Sequence, residues 1–233
     1  MNKKFTSERY NRQIILPQIG EEGQKKLLNA RVLVVGAGGL GAPVLQYLTA
    51  AGVGYIGIVD ADVVSISNLQ RQVLFRENQL GQLKTEKAAE TLTILNSDCC
   101  IETYSVNLSD ENAEKIITQY DIVVGATDSF ASRRLIDRVC KHLGKTFVHG
   151  SVSEFYGQVA VFNYRGSASY ADLFSDYPED NTLPSGVIGV LPAVIGSLQA
   201  AEVIKIILGI GDILANKLLI YDVLTVNFTI VEY

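Results

Sequence analysis

Three glycines, Gly36, Gly38 and Gly41, stand at G-x-G-x-x-G spacing directly after the run RVLVV and before an amphipathic helical pattern. Such a turn brings backbone N–H groups and the amino end of a helix to a phosphate. Gly36 permits the tight turn, Gly38 the close approach, and Gly41 the packing of helix on sheet. Asp60 ends the next strand, 19 residues beyond Gly41, where folds of this kind hold a ribose hydroxyl. A redox dinucleotide and ATP would both be served by these residues. The segment that follows separates them, because Asp62, Asn68, Arg71, Gln72 and then Lys84 gather just beyond a strand's carboxyl end. Hydride transfer has little use for a further arginine and lysine. Cleavage of a triphosphate needs them, since charge builds on the leaving pyrophosphate and must be met by preorganised cations. Asp128, in the turn after DIVVGAT, is most simply a magnesium ligand beside that triphosphate. Its purely structural alternative is an N-cap for the helix beginning near Phe130.

The elements that must position these residues follow from hydrophobic runs and breakers. Short β-branched runs predict strands near 31–35, 55–59, 101–105, 121–125 and 146–150, with helical patterns near 40–51, 84–96, 110–119 and 130–143. This alternation predicts an α/β, Rossmann-like, doubly wound and mostly parallel sheet with helices on both faces. In the C-terminal third, GQVAVFNY at 157–164, KLLIYDV and TVNFTIVEY extend it with antiparallel strands. The expectation is a single domain over 1–233, with a nucleotide-binding half over 1–150 and an antiparallel extension over 151–233. The polar stretch 165–186, 22 residues with two prolines, has the length of a functional loop.

Composition narrows the partners. A net charge of -5 argues against a nucleic-acid footprint, and 48% hydrophobic residues suit one sizeable core. Cys99, Cys100 and Cys140 form no CxxC pair, which suits a reducing cytoplasm; all three read as packed structural thiols. The polar start MNKKFTSERYNRQ is no signal peptide, and the apolar segment 187–208, broken by Pro192, Gln199, Glu202 and Lys205, reads as a buried helix and not a membrane span. His142 and His149 are not spaced as a metal pair, and His149 reads as a structural histidine near the ligand edge.

The set RYNRQI, GAGGLGAPVLQYLTAAGVG, SNLQRQ, GQLKTEKA, ATDSFASR and GVLPAVIGSLQAAEVIKIILG resembles, in order and over nearly the whole chain, the ThiF/MoeB/HesA family of adenylyltransferases for sulfur-carrier proteins, relatives of the ubiquitin-activating enzymes. The resemblance implies that the C-terminal Gly-Gly carboxylate of a small ubiquitin-like carrier attacks the α-phosphate of ATP, giving an acyl-adenylate and pyrophosphate. A sulfur donor then acts on the adenylate. It implies ATP contacts at Gly36, Gly38, Gly39, Gly41, Asp60, Asp62, Ser67, Asn68, Leu69, Gln70, Arg71, Lys84, Asp128 and Ser129, with magnesium on Asp128. Arg12, in RYNRQ, matches an arginine that reaches the neighbouring subunit's ATP site, so that Arg12, Arg71, Lys84 and Asp128 form the catalytic set of a homodimer.

Three positions depart from the family pattern. Ser169-Tyr170-Ala171-Asp172 stands where many relatives carry CYRC, and no second cysteine pair follows, so no structural zinc is expected. Thr182 and Pro184 stand where some relatives have a cysteine able to link to the carrier. Ser129 replaces the usual asparagine, able to cap the helix but without the amide. The RQVLF continuation favours the thiamine-pathway members, with the molybdopterin members as the alternative. A dinucleotide-dependent dehydrogenase and a non-catalytic carrier- or nucleotide-binding scaffold remain the competing classes.

Overall fold

The structure, a computed structural model, describes residues 7–175 and 186–233. Thr182, Pro184 and the centre of the 165–186 stretch lie outside them. Eight strands form one sheet among the described residues: β1 (Arg31–Val35), β2 (Tyr55–Val59), β3 (Cys100–Tyr104), β4 (Ile122–Gly125), β5 (Thr146–Ser153), β6 (Tyr156–Phe162), β7 (Lys217–Asp222) and β8 (Asn227–Glu232), in the order β3-β2-β1-β4-β5-β6-β7-β8. The first five run parallel, and β6 to β8 add antiparallel pairs beginning at β5. After β1 the chain moves outward to β2 and β3 and then returns to β4 on the other side. A crevice is left at the carboxyl ends of β1 and β4, the place where open sheets bind ligands.

Alternation along the strands builds two cores. Val32 and Val34 of β1, Ile56 and Ile58 of β2 and Val124 of β4 face α3 (Gly41–Ala51) and the long α8 (Val190–Leu208). Leu33, Val35, Val123 and Phe147 face the other way, against α5 (Ala113–Ile117) and α6 (Phe130–Leu143). Length and composition alone would let α8 cross a membrane, yet here Leu191, Ile195 and Val203 are fully buried against the sheet. Gln199 donates from Nε2 to the Gly125 carbonyl at 2.9 Å, tying α8 to the end of β4.

The remaining helices are α1 (Ser7–Ile14), α2 (Gly20–Asn29), α4 (Lys84–Leu95) and α7 (Tyr170–Leu173). Several expectations are corrected. The strand placed at 146–150 runs on to Ser153, because it pairs with β6 through a tight hairpin as far as Ser153 and Tyr156. The stretch 165–186 is not loop throughout, since Ser169 and Asp172 form a capping box that starts α7. Cys99 and Cys140 are buried as packed thiols, burial pushing the Cys140 thiol up, but Cys100 is exposed on the edge strand β3. Ser129 caps α6, as its type allowed, and the structural alternative of Asp128 as cap does not hold: Ser129 Oγ accepts from the Ser132 N–H at 3.3 Å.

Candidate active site

The crevice holds a cavity of about 800 Å³ walled by the glycine turn, Asp60, Asp62, Asn68, Arg71, Lys84 and the Ala126–Arg133 segment. Its floor is set by backbone geometry. Gly36 has φ +100°, and a Cβ there would lie 2.6 Å from the Ala126 carbonyl oxygen, so only glycine carries β1 into the turn beside β4. At Gly38 a Cβ would meet only the Gln72 amide, at 3.4 Å; its bareness leaves the turn's backbone open to the cavity. Gly41 instead packs against the Gly36 carbonyl and does not form the wall.

Asp60 stiffens this turn. One carboxylate oxygen accepts the Ala37 N–H at 2.7 Å and the other the Asp62 N–H at 2.8 Å. Burial pushes its carboxyl above the usual value, and those two bonds with the nearby Lys84 charge work in the opposite direction. Each oxygen keeps a lone pair for a ligand hydroxyl.

The segment between β2 and α4 leaves the sheet and returns to it. Val63 bridges Leu83, and the Lys84 N–H donates to the Asp62 carbonyl at 3.0 Å, closing the loop at its base. Lys84 thereby begins α4 with its side chain only 5% exposed, while its partner Asp62, at 2.8 Å, is 72% exposed. A buried ammonium at a helix amino terminus opposes the helix dipole, and the solvated Asp62 with the nearby Asp60 carboxylate offsets it. The placement suits an anion brought from outside. Arg71 lies over the turn, its Cγ 3.4 Å from where a Gly39 Cβ would be, and Nη1 donates to the Ser67 carbonyl at 3.1 Å.

Asp128 is exposed on the opposite wall, and among the described residues nothing hydrogen-bonds its carboxylate. No group of three His, Cys, Asp or Glu side chains able to hold a metal occurs among the described residues. The exposed Asp128 carboxylate on the cavity wall is a donor of the kind magnesium takes, since that ion uses one or two protein carboxylates and completes its shell with phosphate oxygens and water.

Ser67, Leu69 and Gln70 are not on the cavity wall: Ser67 contributes its carbonyl to Arg71, and Leu69 packs on the core. Arg12 is not there either. It is exposed on α1, and among the described residues no hydrogen bond or ion pair engages its guanidinium. Gln13, beside it, donates to the Ala51 carbonyl at 3.1 Å, at the far end of the 11-residue helix α3 whose amino end borders the site.

One wall residue, Arg133, was not singled out from the sequence, and another, Gln72, was named only as part of the segment after β2 and given no role. Gln72 is 4% exposed, next to Arg71, with its Oε1 unpartnered. Arg133 is 5% exposed and donates from both Nε and Nη2 to the Thr127 carbonyl, at 3.2 and 3.0 Å. The RQ and SRR pairs held the only sequence signal for them. His149 is fully buried against Phe147, Phe162, Tyr170 and Phe174, as a structural histidine. Its pKa is held well below the ordinary value, by burial first and by Arg133 second.

Comparison with known proteins agrees with the fold and with the family resemblance. The ThiF family model matches residues 10–233. The sulfur carrier protein adenylyltransferase of Thermus thermophilus is 49% identical over 230 residues, covering 95% of this chain and 85% of that protein. The probable molybdopterin-synthase adenylyltransferase of Porphyra purpurea is 44% identical over 94% of this chain, which spans only 59% of that longer protein. The crystal structure of E. coli MccB with MccA superposes with a TM-score of 0.87 at 23% identity, covering 97% of this chain and 71% of that one, a likeness of fold.

Proposed function

The chain belongs to the ThiF family, and from that premise we propose that it uses ATP to adenylate the C-terminal carboxylate of a small carrier protein, releasing pyrophosphate. One observation carries this reading: Arg71, the buried Lys84 and the unpaired Asp128 share a single cavity with the Gly38–Gly39 backbone, at the carboxyl ends of β1, β2 and β4. A carboxylate nucleophile arrives ionised and needs no general base. Catalysis then rests on positioning and on charge that meets the departing pyrophosphate. In this arrangement the glycine turn receives the nucleotide, Asp60 takes a ribose hydroxyl, and Asn68, Arg71 and Lys84 hold phosphates. Asp62 orients Lys84, Ser67 orients Arg71, and Ser129 caps the helix behind Asp128. Asp128 holds magnesium, which when bound neutralises phosphate charge.

The partner in this reading is a ubiquitin-like sulfur carrier ending in Gly-Gly, and the name of the Thermus relative supports that class. The whole of 1–233 acts as one adenylation unit, with the region around 165–186 meeting the carrier. The unit is a homodimer in which Arg12 completes the partner's site, and a sulfur donor consumes the adenylate. Thiamine thiazole formation is the pathway we favour, on the RQVLF continuation. A molybdopterin-synthase carrier is the second reading, favoured by the Porphyra relative.

Intact-mass measurement of each carrier after incubation with the protein, ATP and magnesium tests the reaction. An AMP adduct confined to the intact Gly-Gly terminus of one carrier supports it. Unmodified carriers throughout, with a protein that binds ATP, overturn it.

A further inference from the structure

Asp128 stands on a turn whose geometry is fixed from below by α6. Arg133, one turn into that helix, lines the cavity, and its two bonds to the Thr127 carbonyl hold the peptide immediately before Asp128. A guanidinium this deeply buried ordinarily faces a carboxylate. Here its hydrogen bonds go to a neutral carbonyl, its guanidinium lies over the Phe130 ring at 5.1 Å, and the groups acting on its charge are the Tyr170 phenol from α7 and the Asp128 carboxylate of the same turn. One helical turn further along α6, on the same face, the Asp137 carboxylate accepts the Tyr170 N–H at 2.9 Å, the Ala171 N–H at 3.1 Å and Asn163 Nδ2 at 2.9 Å. Asp137 is 2% exposed, and its bonds fix where α7 begins. The hydroxyl of Tyr170 is thus delivered to Arg133 by a helix pinned to the same face of α6.

We propose that Arg133 is the positioning residue of the Asp128 turn, and that the Tyr170 phenol packed beside it, set by the Asp137 anchor, makes the seating of α7 a condition for that turn's geometry. Arg133 acts through the Thr127 carbonyl and touches no reacting atom. The helix α7 is therefore coupled mechanically to the cation-holding wall. The expected consequence for magnesium rests on the adenylation reading; the coupling itself does not.

Tyr170→Phe removes only the hydroxyl and keeps the ring against Phe147, Phe162 and Phe174. Arg133→Lys keeps the charge and loses the paired bonds. Hydrogen–deuterium exchange of the 127–130 backbone in the ligand-free protein is the first readout, and magnesium titration of non-cleavable ATP analogue binding the second. Both variants are expected to exchange faster at 127–130 with β1 and β4 unchanged, and to need roughly 10-fold more magnesium for half-saturation. Wild-type exchange at 127–130 in a folded Arg133→Lys protein overturns the positioning role. The same result in Tyr170→Phe overturns the coupling to α7, whether or not Arg133→Lys folds. If the wild type itself binds the analogue without any magnesium dependence, the adenylation reading fails, and the exchange readout still decides the role of Arg133.

Discussion

Lys84 Nζ lies 2.8 Å from Asp62 Oδ2 at the first residue of α4, so a 5%-exposed ammonium sits at the helix end that favours anions. The helix end opposes a cation there, and only the Asp62 and Asp60 carboxylates offset that within the fold. A site that must grip phosphate supplies a further reason for it.

Lys84→Met is expected to keep thermal stability within about 1 kcal/mol of the wild type, because loss of an unfavourable charge–dipole contact offsets loss of the cation beside Asp60 and Asp62. Adenylation should fall by about 10² to 10³, the loss typical of one preorganised donor to developing charge. Parallel thermal melts and steady-state kinetics check it. A variant equally impaired in both would make Lys84 a structural residue.

Arg12 and Asp128 test the dimer. Gln13 anchors α1 to Ala51, and α3 carries its two ends about 15 Å apart at the usual rise, so α1 is anchored at the end of α3 remote from the cavity. Arg12→Ala and Asp128→Ala should each be inactive and folded. Mixed with free subunit exchange, about half the dimers become hybrids with one intact site, and about a quarter of wild-type activity should return. Absence of rescue after demonstrated exchange places Arg12 outside the site.

The glycines of the turn should separate by role. Gly38→Ala meets no backbone and should leave the melting temperature nearly unchanged while weakening ATP binding. Gly36→Ala must contend with φ +100° and the Ala126 carbonyl, at a cost of about 1 to 3 kcal/mol. Calorimetric binding beside a denaturant series distinguishes the two.

How much of this was legible in the sequence varies by residue. The glycine turn, Asp60, Arg71, Lys84 and Asp128 were readable because strand ends bring them together and the family motifs name them. Helix α1 was not, since its buried residue Tyr10 is held by polar contacts, among them Asn96 Nδ2 at 2.9 Å, which leave no hydrophobic period. Arg133 escaped, and Gln72 was given no role, for a related reason. Their significance lies in a carbonyl or an empty contact brought near by the fold, and side-chain spacing does not encode either.

His149 gives the protein a pH dependence. Its folded pKa lies well below the usual 6.5, so the unfolded chain binds the extra proton first. Its contribution to stability is complete above about pH 6.5 and is lost as the pH falls toward the folded value, with a slope up to about 1.4 kcal/mol per unit. Denaturant titrations from pH 7.5 to about 5 should show this acid-side loss, and His149→Phe should flatten it. An unchanged slope in that variant assigns the acid sensitivity to other groups.

The central claim is that this cavity joins ATP to a carrier's carboxylate, and ATP–pyrophosphate exchange tests it most directly. Purified protein with magnesium should exchange labelled pyrophosphate into ATP only when a carrier ending in Gly-Gly is present, and Asp128→Ala should abolish that exchange. Exchange without any carrier, or none with every carrier offered to a folded protein, would contradict the account.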